Sequence, residues 1–576
     1  MLYHDAPRAW AEGELARRIE QNALRLMQDD YDIPAGHEMN QREWPGDFRG
    51  RALLALAQHA AYGSPTAARR DALLADTLRC LSLRGYLGEE VGGVVNEQQL
   101  AGHSWLLRAL VACAQQGAQE AAAAAERLFE TLFLPCAAAL DAYPLKRVRT
   151  NAGQPSGELE SGVENGWRLS TDVGCAFIAL DGLSAYYAFS RDARAQNALT
   201  AMLRLFARID PEEVRMQTHA TLTALRGALR AYRLGGDERL LALVRERFAA
   251  YCARAQTVNF ANYNWFGRPQ WTEPCGVVDS LMLAQDLFGE TGERSWLRLA
   301  NRIFFNGLLS SQRENGGFGC DSCVTRDGRQ PLLEAHKGAY EAYWCCSMRG
   351  AEGLMAAACG SVFEREGEIV LALRCAGRYS LEQAGVQIRG DFPWEEKVEI
   401  AFTGARALYV ARAFAAGGTS VRLAGRRAAG RKRSAAARGA RWRGIPGAGN
   451  ARAQGSAPRR RAYAVARRFA AGRRGRGNGA TGGPAATLGA GGAGAAAPAA
   501  DLLSGWRIVC AGAYPSPFAK TFHRSGNCCS PWRAIGRGAR ARTFPSRRLP
   551  RRRRLSFTAP EGRNSIFCCW TLGCAA

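Results

Sequence analysis

The helical character of this chain is clearest in residues 218–236, which read THATLTALRGALRAYRLGG. Leu222, Leu225 and Leu229 follow one another at three- and four-residue spacing, so they share one face of an α-helix. The glycines that end the segment are typical of helix C-termini. This segment therefore predicts a helix that packs one face against a core.

The same pattern recurs from about residue 10 to residue 360 and defines about a dozen helices, with no convincing β-run among them. Clear examples are RALLALAQHAAYG (51–63), HSWLLRALVACAQQG (103–117) and VVDSLMLAQDLFGETG (277–292). Antiparallel helix pairs in that number suit a closed ring. We therefore predict a mainly α protein in which residues 1–360 form an (α/α)6 barrel.

The pattern changes at about residue 362. The segments FEREGEIVLALRCAG (363–377) and GVQIRGDFPWEEKVEIAFTG (385–404) alternate apolar and polar residues, with turn residues between them. Such alternation indicates strands, so residues 361–420 are expected to form the start of a β-sandwich domain.

Residues 421–576 form a tail rich in Arg, Ala and Gly, as in GATGGPAATLGAGGAGAAAPAA (479–500) and RRLPRRRRLSF (547–557). One interpretation is a basic arm for nucleic acid. The other is a stretch translated out of frame from a GC-rich gene, and we favour it because the tail interrupts a β-domain and lacks regularly interleaved aromatic residues. On either interpretation the tail cannot build a core and is expected to be disordered.

The net charge of +25 has a local origin. Residues 405–576 contain 34 Lys and Arg residues and only two acids, Asp501 and Glu561, so the remainder of the chain is mildly acidic. Nucleic acid is therefore not expected as a partner outside the tail. No apolar run is long enough to span a membrane, so no membrane partner is expected either.

Twelve of the 18 cysteines lie in residues 1–404, and the first residues of the chain include no apolar segment of the secretory type. Without an export signal, cysteines are expected to serve as thiols and metal ligands rather than disulfides. This usage favours a reducing, cytoplasmic location. A homo-oligomer remains compatible with the sequence.

Four residues stand out as candidates for chemistry. Glu273 and Cys275 lie in WTEPCG (271–276), and the adjacent Cys345 and Cys346 lie in YWCCSMRG (343–350). Thiolates and a carboxylate are ligands that Zn²⁺ accepts, and four of them complete a tetrahedral shell. A vicinal pair of cysteines suits one thiolate held as a ligand and the other directed at a substrate.

A second set competes with the first. Cys320 and Cys323 form a C-x-x-C in GFGCDSCV (317–324), and with Cys345 and Cys346 they would make a structural site of four cysteines. A third reading is that these residues are buried free thiols. Spacing alone does not choose among one Glu with three Cys, four Cys, and no metal.

The order of these motifs resembles glycoside hydrolase family 127, which includes bacterial β-L-arabinofuranosidases. Glu273-x-Cys275 is followed by a helix, by NRIFFNGLL (301–309) and then by Cys345-Cys346, and the resemblance spans about residues 30–404. It implies an (α/α)6 barrel followed by β-sandwich material. It also implies a zinc ion held by Glu273, Cys275, Cys345 and Cys346, with Cys345 as the nucleophile of a retaining glycosidase that acts on a carbohydrate.

The chain departs from the family pattern at the general acid/base. The family places a glutamate about sixteen residues before its Glu-x-Cys, whereas residues 256–271 here, QTVNFANYNWFGRPQW, contain no carboxylate. Other acids become candidates for this role. They are Glu158, Glu160, Glu164, Asp172 and Glu341.

The resemblance also implies substrate contacts. His103 in EQQLAGHSW (97–105) and His219 in QTHATL (217–222) match histidines that face the family's substrate. Trp265, Phe266, Tyr343 and Trp344 are either platforms for a sugar ring or core residues. The leading hypothesis is a β-L-arabinofuranosidase-like hydrolase, and the alternative is a catalytically impaired, zinc-stabilised carbohydrate-binding or scaffold protein on the same barrel.

Overall fold

The computed structural model describes most of the chain up to residue 425. The described residues are 9–33, 38–39, 41–81, 84–146, 156–269, 271–322, 334–335, 340–365, 368–382, 384–395, 398–403, 407–410 and 421–425. Cys323 and the tail after residue 425 lie outside these ranges. The expected disorder of the tail, its reading frame and the proposed domain boundaries therefore stay predictions.

Helices account for most of the described chain. They are α1 (Gly13–Leu26), α2 (Asp47–Tyr62), α3 (Ala67–Leu81), α4 (Glu97–Gln115), α5 (Gln119–Leu128), α6 (Leu134–Ala138), α7 (Ala179–Ser190), α8 (Ala193–Arg208), α9 (Thr218–Gly235), α10 (Glu238–Arg254), α11 (Pro274–Thr291), α12 (Arg294–Arg302), α13 (Leu309–Ser311) and α14 (Cys346–Cys359). The predicted glycine stops are confirmed at Gly63, Gly236 and Gly292, each of which ends a helix with positive φ.

Six helices form a closed inner ring. In ring order they are α2, α4, α7, α9, α11 and α14, and α14 packs back onto α2. A second set packs outside this ring, with α1 on α14, α3 on α2, α5 on α4, α8 on α7, α10 on α9 and α12 on α11. Inner and outer helices alternate along the chain, so the predicted (α/α)6 barrel is confirmed.

Close packing between inner helices depends on glycine at the contact points. A Cβ atom on Gly50 of α2 would lie 2.3 Å from the main-chain nitrogen of Leu106 in α4. A Cβ atom on Gly227 of α9 would lie 2.5 Å from the carbonyl carbon of Leu180 in α7. Any larger residue would push neighbouring helices apart, because packed interiors have no room for an added methyl group.

Strands after residue 361 form two sheets, as the alternating pattern predicted. The larger has the order β1 (Ala9–Ala11), β9 (Gly377–Ser380), β10 (Gly385–Arg389), β11 (Val398–Thr403) and β13 (Val421–Gly425), and the smaller has β12 (Ala407–Val410), β8 (Glu368–Leu371) and β7 (Val362–Arg365). Between the helices lie β2 (Val95–Asn96), β3 (Leu159–Glu164), β4 (Trp167–Ser170), β5 (Asp321–Ser322) and β6 (Glu334–Ala335).

The β3–β4 hairpin corrects the expectation that no β-run interrupts the helices. Its two-residue turn is Asn165-Gly166, and both residues have positive φ (51° and 82°). An Asn-Gly pair in this conformation is the preferred turn of a tight hairpin. Apolar residues are sparse in this segment, and that is why the hydrophobic pattern missed it.

Across the part of the chain that the structure describes, no helix is both long enough and apolar enough to cross a membrane.

Candidate active site

Four side chains converge at one end of the barrel. The ligand atoms of Glu273, Cys275, Cys345 and Cys346 all lie within 4.8 Å of one another. The Sγ atom of Cys346 lies 3.6 Å from that of Cys275 and 3.4 Å from that of Cys345. The structure thus brings together the four residues predicted to bind a metal, and we call them the thiol cluster.

Backbone geometry at two helix starts explains this convergence. Glu273 precedes α11 in an extended conformation, and Pro274 takes the first helical position, where its missing N–H is not needed. Cys345 precedes α14 with a non-helical backbone (φ −148°, ψ −62°), whereas Cys346 is the first residue of that helix. The change of conformation between Cys345 and Cys346 lets neighbouring thiols meet.

Positive charge surrounds Cys275. Its Sγ atom accepts a hydrogen bond from Nη1 of Arg51 at 3.7 Å, and α11 directs its N-terminal end toward it. Burial by itself would raise the pKa of Cys275. Hydrogen bonds from Cys345 and Cys346, together with the positive charge of Arg51, instead hold that pKa well below its usual value. One thiolate in the cluster is therefore stabilised.

The other members of the thiol cluster stay protonated without a further positive charge. Hydrogen bonding with Cys275 and burial raise the pKa of Cys345 well above its usual value, and burial raises that of Cys346. Burial and the neighbouring Cys275 raise the pKa of Glu273 as well. A cation bound at the centre would relieve this crowding of acidic groups, because metal binding releases protons from its ligands.

The spacing of the thiol cluster fits a tetrahedral metal ion. A zinc–sulfur distance of about 2.3 Å implies that ligand sulfur atoms lie about 3.8 Å apart. The observed distances of 3.4 and 3.6 Å are close to that value. Glu273 rather than Cys320 completes the group of four ligand atoms, although Cys320 is buried and neighbours Cys346. The four-cysteine alternative needs Cys323, which lies outside the described residues.

Beside the thiol cluster, His219 points one ring nitrogen at an aspartate. His219 Nδ1 lies 2.9 Å from Oδ2 of Asp279, so the nitrogen donates and Nε2 carries the lone pair. Among the described residues Nε2 has no hydrogen-bond partner. The imidazole also stacks on Trp105, with ring centroids 5.8 Å apart and an interplanar angle of 6°. The ring of His219 is thus fixed with a free acceptor.

Deeper in the barrel, charged side chains pair with one another. Asp279 accepts from Arg226 at 2.9 Å and also from Arg349, and both arginines contact Glu352. The network continues through Arg108 and Arg230 to Asp181. Although burial opposes ionisation, Arg349 and the hydrogen bond from His219 hold the pKa of Asp279 well below its usual range. We call this group the charge network.

A small cavity opens above the thiol cluster. Its lining residues come from five of the six inner helices or the loops next to them, and they are mostly polar or aromatic. They are Trp44, Asp47, Arg51, Asp172, Ile178, Gln217, His219, Glu273, Trp344 and Cys345. Cys345 is partly exposed and lines the cavity, whereas Cys275 and Cys346 are completely buried behind it.

His103 lies apart from this cavity lining. Its Nδ1 atom donates to the carbonyl oxygen of Gln99 at 2.7 Å, and its Nε2 atom accepts from the main-chain nitrogen of Leu87 at 2.9 Å. Burial lowers the pKa of His103 to about 4, so the ring is neutral. Because the main chain uses both ring nitrogens, the substrate contact predicted for His103 finds no support in this arrangement.

The acid/base candidates separate clearly. Asp172 is 1% exposed and lines the cavity, whereas Glu158 is exposed, and Glu160 and Glu164 lie on β3 away from the lining. Glu341 is bound by Arg25, Tyr31, Asn315 and Ser347, so it serves as an anchor for the loop before Cys345.

The aromatic candidates also divide. Trp344 lines the cavity, and Tyr343 beside it packs edge-on against Tyr31 and Phe48. Trp265 and Phe266 are buried, and Trp265 packs against Trp271. Of the four, only Trp344 is placed to meet a ligand.

Several cavity residues escaped sequence reasoning. Asp47 and Arg51 form an ion pair at 2.7 Å on the first turns of α2, and Arg51 contacts Cys275 across 224 residues of sequence. Trp44 has a left-handed backbone (φ 49°), which is uncommon for a bulky residue and is often found at functional sites. The i, i+4 spacing of Asp47 and Arg51 was the one local signal available.

The fold and the thiol cluster together define a class: an (α/α)6-barrel protein with a cysteine-rich cluster whose spacing could hold a metal ion. Within this class, residues 182–358 match the family model of the β-L-arabinofuranosidase GH127 catalytic domain. The predicted resemblance to glycoside hydrolase family 127 is thus confirmed for this segment, which contains the thiol cluster and His219. No curated protein sequence matches the chain.

Three solved structures were found by comparison of folds. The first is a glycoside hydrolase with 14% identity and a TM-score of 0.46, and the match covers 68% of this chain and 67% of that chain. The second is a GH127 β-arabinofuranosidase with 12% identity and a TM-score of 0.45, covering 66% of this chain and 62% of that chain. The third is a GH127 β-L-arabinofuranosidase from Geobacillus stearothermophilus T6 with 11% identity and a TM-score of 0.43, covering 66% of this chain and 65% of that chain. The chain therefore spans about two thirds of the length of these three proteins.

Proposed function

We propose that this protein is a retaining, β-L-arabinofuranosidase-like glycoside hydrolase whose nucleophile is the thiolate of Cys345 bound to zinc. The observation that carries the proposal is the thiol cluster: its four ligand atoms lie within 4.8 Å of one another, and two of its residues, Glu273 and Cys345, line a cavity. The match of residues 182–358 to a glycosidase family supports the reaction class.

The exposure of the three thiols argues for Cys345 as the nucleophile. Cys275 and Cys346 are completely buried, so a substrate cannot reach them, whereas Cys345 lines the cavity. Glu273, Cys275, Cys345 and Cys346 would hold the metal, which would keep the thiol of Cys345 deprotonated near neutral pH. The thiolate is the nucleophilic form of cysteine.

The reaction has two displacements. In the first, the sulfur of Cys345 forms a bond to the anomeric carbon while the glycosidic carbon–oxygen bond breaks and the departing oxygen takes a proton. In the second, water attacks the same carbon, the carbon–sulfur bond breaks and its electron pair returns to sulfur. Two inversions give net retention.

Other cavity groups are suited to hold a sugar. His219 presents its free Nε2 lone pair, which accepts a hydrogen bond from a hydroxyl group. Gln217 lines the cavity with a side-chain oxygen that has no partner among the described residues. Trp44 and Trp344 add aromatic surface, which sugars favour as a stacking partner.

A second candidate function is carbohydrate binding by a zinc-stabilised barrel without catalysis. It is favoured by one observation, the absence of any carboxylate in residues 256–271, where the family acid/base is expected. In this case the cavity would bind a sugar and leave its glycosidic bond intact.

The test compares Cys345→Ser with Cys359→Ser, a matched control at the other end of α14. Wild type and the control are expected to bind about one zinc per chain and to hydrolyse a nitrophenyl β-L-arabinofuranoside, and Cys345→Ser is expected to lose at least about 10³-fold in kcat/KM. Metal analysis, turnover and thermal unfolding provide the readouts.

Two outcomes would count against the proposal. Equal activity of Cys345→Ser and wild type would rule out the thiolate nucleophile. Bound zinc and sugar binding without hydrolysis in wild type would favour the second candidate function instead.

A further inference from the structure

The cavity contains a carboxyl group that the thiol cluster does not use. We propose that Asp172 is the general acid/base of this reaction and takes the place of the glutamate that residues 256–271 lack. The assignment rests on the proposed function. In the first displacement the carboxylic acid of Asp172 gives its proton to the departing oxygen, and in the second its carboxylate takes a proton from the attacking water.

Elimination among the cavity carboxyl groups favours Asp172. Three carboxyl side chains line the cavity, those of Asp47, Asp172 and Glu273. Asp47 is ion-paired with Arg51 at 2.7 Å; burial raises its pKa, and the charge of Arg51 opposes that rise. Glu273 belongs to the thiol cluster. Asp172 alone among these three carries neither an ion pair nor a place in that cluster within the described structure.

The two oxygens of Asp172 have different surroundings. Oδ1 accepts a hydrogen bond from Oγ of Ser156 at 3.3 Å. Oδ2 is buried and has no hydrogen-bond partner among the described residues. A carboxyl group with one anchored oxygen and one unused oxygen beside a cavity is arranged for proton transfer to a ligand, because the anchored oxygen fixes its direction.

The backbone around Asp172 is held on three sides. Its main-chain nitrogen donates to Oγ of Ser170 at 3.1 Å, and its carbonyl oxygen accepts from the nitrogen of Cys175 at 3.1 Å. Gln98 of α4 donates to Oγ of Ser170 at 2.9 Å and to the carbonyl oxygen of Gly157. The β3–β4 hairpin therefore presents Asp172 from a rigid support rather than from a free loop.

The charges that face Asp172 leave it able to exist in both protonation states. The pKa of Asp172 is raised to about 6, and burial is the main cause. Glu97 of α4 also raises it, whereas hydrogen bonds from Gly157 and Ser156 and the charge of Arg268 lower it. Asp172 in turn raises the pKa of Glu273, the residue that precedes α11. A group that serves as acid and then as base works best when its pKa lies near the operating pH.

The test uses two leaving groups. Asp172→Gly and Asp172→Asn are expected to lose about 10²–10⁴-fold in kcat/KM on an alkyl β-L-arabinofuranoside, and much less on a dinitrophenyl one, which departs without protonation. The basic limb of the pH–rate profile should disappear. With the dinitrophenyl substrate the sugar–Cys345 adduct should accumulate and be seen by intact mass, and azide should restore turnover of Asp172→Gly and yield a glycosyl azide of retained configuration.

The matched control is Glu158→Gln, an exposed carboxylate just before the same β3–β4 hairpin, which should match wild type throughout. Azide rescue separates a chemical role from misfolding, because it requires an intact site. If wild type is active and Asp172→Gly loses activity equally on both substrates without rescue, the assignment is wrong and the proposed function stands. If wild type hydrolyses neither substrate and forms no adduct, both the assignment of Asp172 and the proposed function are wrong.

Discussion

Two neighbouring regions of the barrel treat buried carboxylates in opposite ways. In the charge network, Asp279 is bound by two arginines, a histidine and Thr223, and every partner is itself buried. At the cavity, Asp172 is equally buried but has an oxygen without a partner in the described structure. An unpaired buried polar group destabilises a fold, whereas removing one partner of a buried ion pair is strongly destabilising. We therefore expect the charge network to stabilise the barrel and the cavity to serve the reaction.

The largest expected effect breaks the charge network. Asp279→Asn leaves Arg226 and Arg349 with less negative charge around them, so the free energy of unfolding at pH 7 should fall by about 3–5 kcal/mol. Asp279 has a lowered pKa in the folded protein, so its contribution is present above the unfolded-state pKa and disappears as the pH falls below it.

Urea unfolding at several pH values measures this effect. Arg239→Ala, which removes an exposed ion pair with Asp237, is the control and should change stability by less than about 1 kcal/mol. A loss in Asp279→Asn as small as in this control would refute the idea that the network stabilises the barrel.

The corresponding substitution at the cavity, Asp172→Asn, should raise the free energy of unfolding at pH 7 rather than lower it. Burial raises the pKa of Asp172 to about 6, so the folded protein holds the proton more tightly than the unfolded chain does. Stability is therefore greatest below the unfolded-state pKa and is lost as the pH rises through about 6. Asp172→Asn should remove this loss and make the protein more stable at pH 7 by about 2–3 kcal/mol.

Unfolding of wild type and Asp172→Asn at pH 4 and pH 7 provides the measurement. The two proteins should differ at pH 7 and converge at the lower pH. A variant less stable than wild type at pH 7 would show that Asp172 is a structural carboxylate, like Asp279.

The smallest expected effects sharpen the comparison between two histidines. His103→Gln removes a ring whose two nitrogens bind main-chain groups, so it should lower stability by about 1–2 kcal/mol and leave KM unchanged. His219→Gln should instead raise KM for the furanoside about tenfold, since its Nε2 atom faces the cavity.

Steady-state kinetics and thermal unfolding of both variants separate these roles. A raised KM in His103→Gln with normal stability would restore its predicted contact with the substrate.

The helical barrel could be predicted from the sequence because the periodicity of a helix is a local property of the chain. Segments such as 218–236 carry their apolar face and their glycine stop within one stretch of chain, and each became a helix with those features. The thiol cluster could be predicted as well, because Glu273-x-Cys275 and Cys345-Cys346 are compact motifs whose meaning came from a family resemblance.

Contacts between distant residues could not be found in the same way. Arg51 and Cys275 meet only because two inner helices are neighbours in a ring, and nothing near either residue encodes the pair. Strand β1 pairs with β9 although most of the barrel separates them in sequence, and its three residues carry too little pattern to be recognised. The β3–β4 hairpin, which supports Asp172, was within reach through Asn165-Gly166.

The closure of the inner ring has a consequence for how the protein is made. α2 and α14 meet at a seam where Ala52, Ala55 and Leu56 pack against Met348 and Ala351, and about 300 residues of sequence separate the two helices. At a synthesis rate of about 5–20 residues per second, the first half of this seam waits roughly 15–60 s on the ribosome before the second half emerges. During that interval the side of α2 that faces α14 has no native partner, so the nascent barrel exposes apolar surface, which makes partly synthesised chains prone to aggregation.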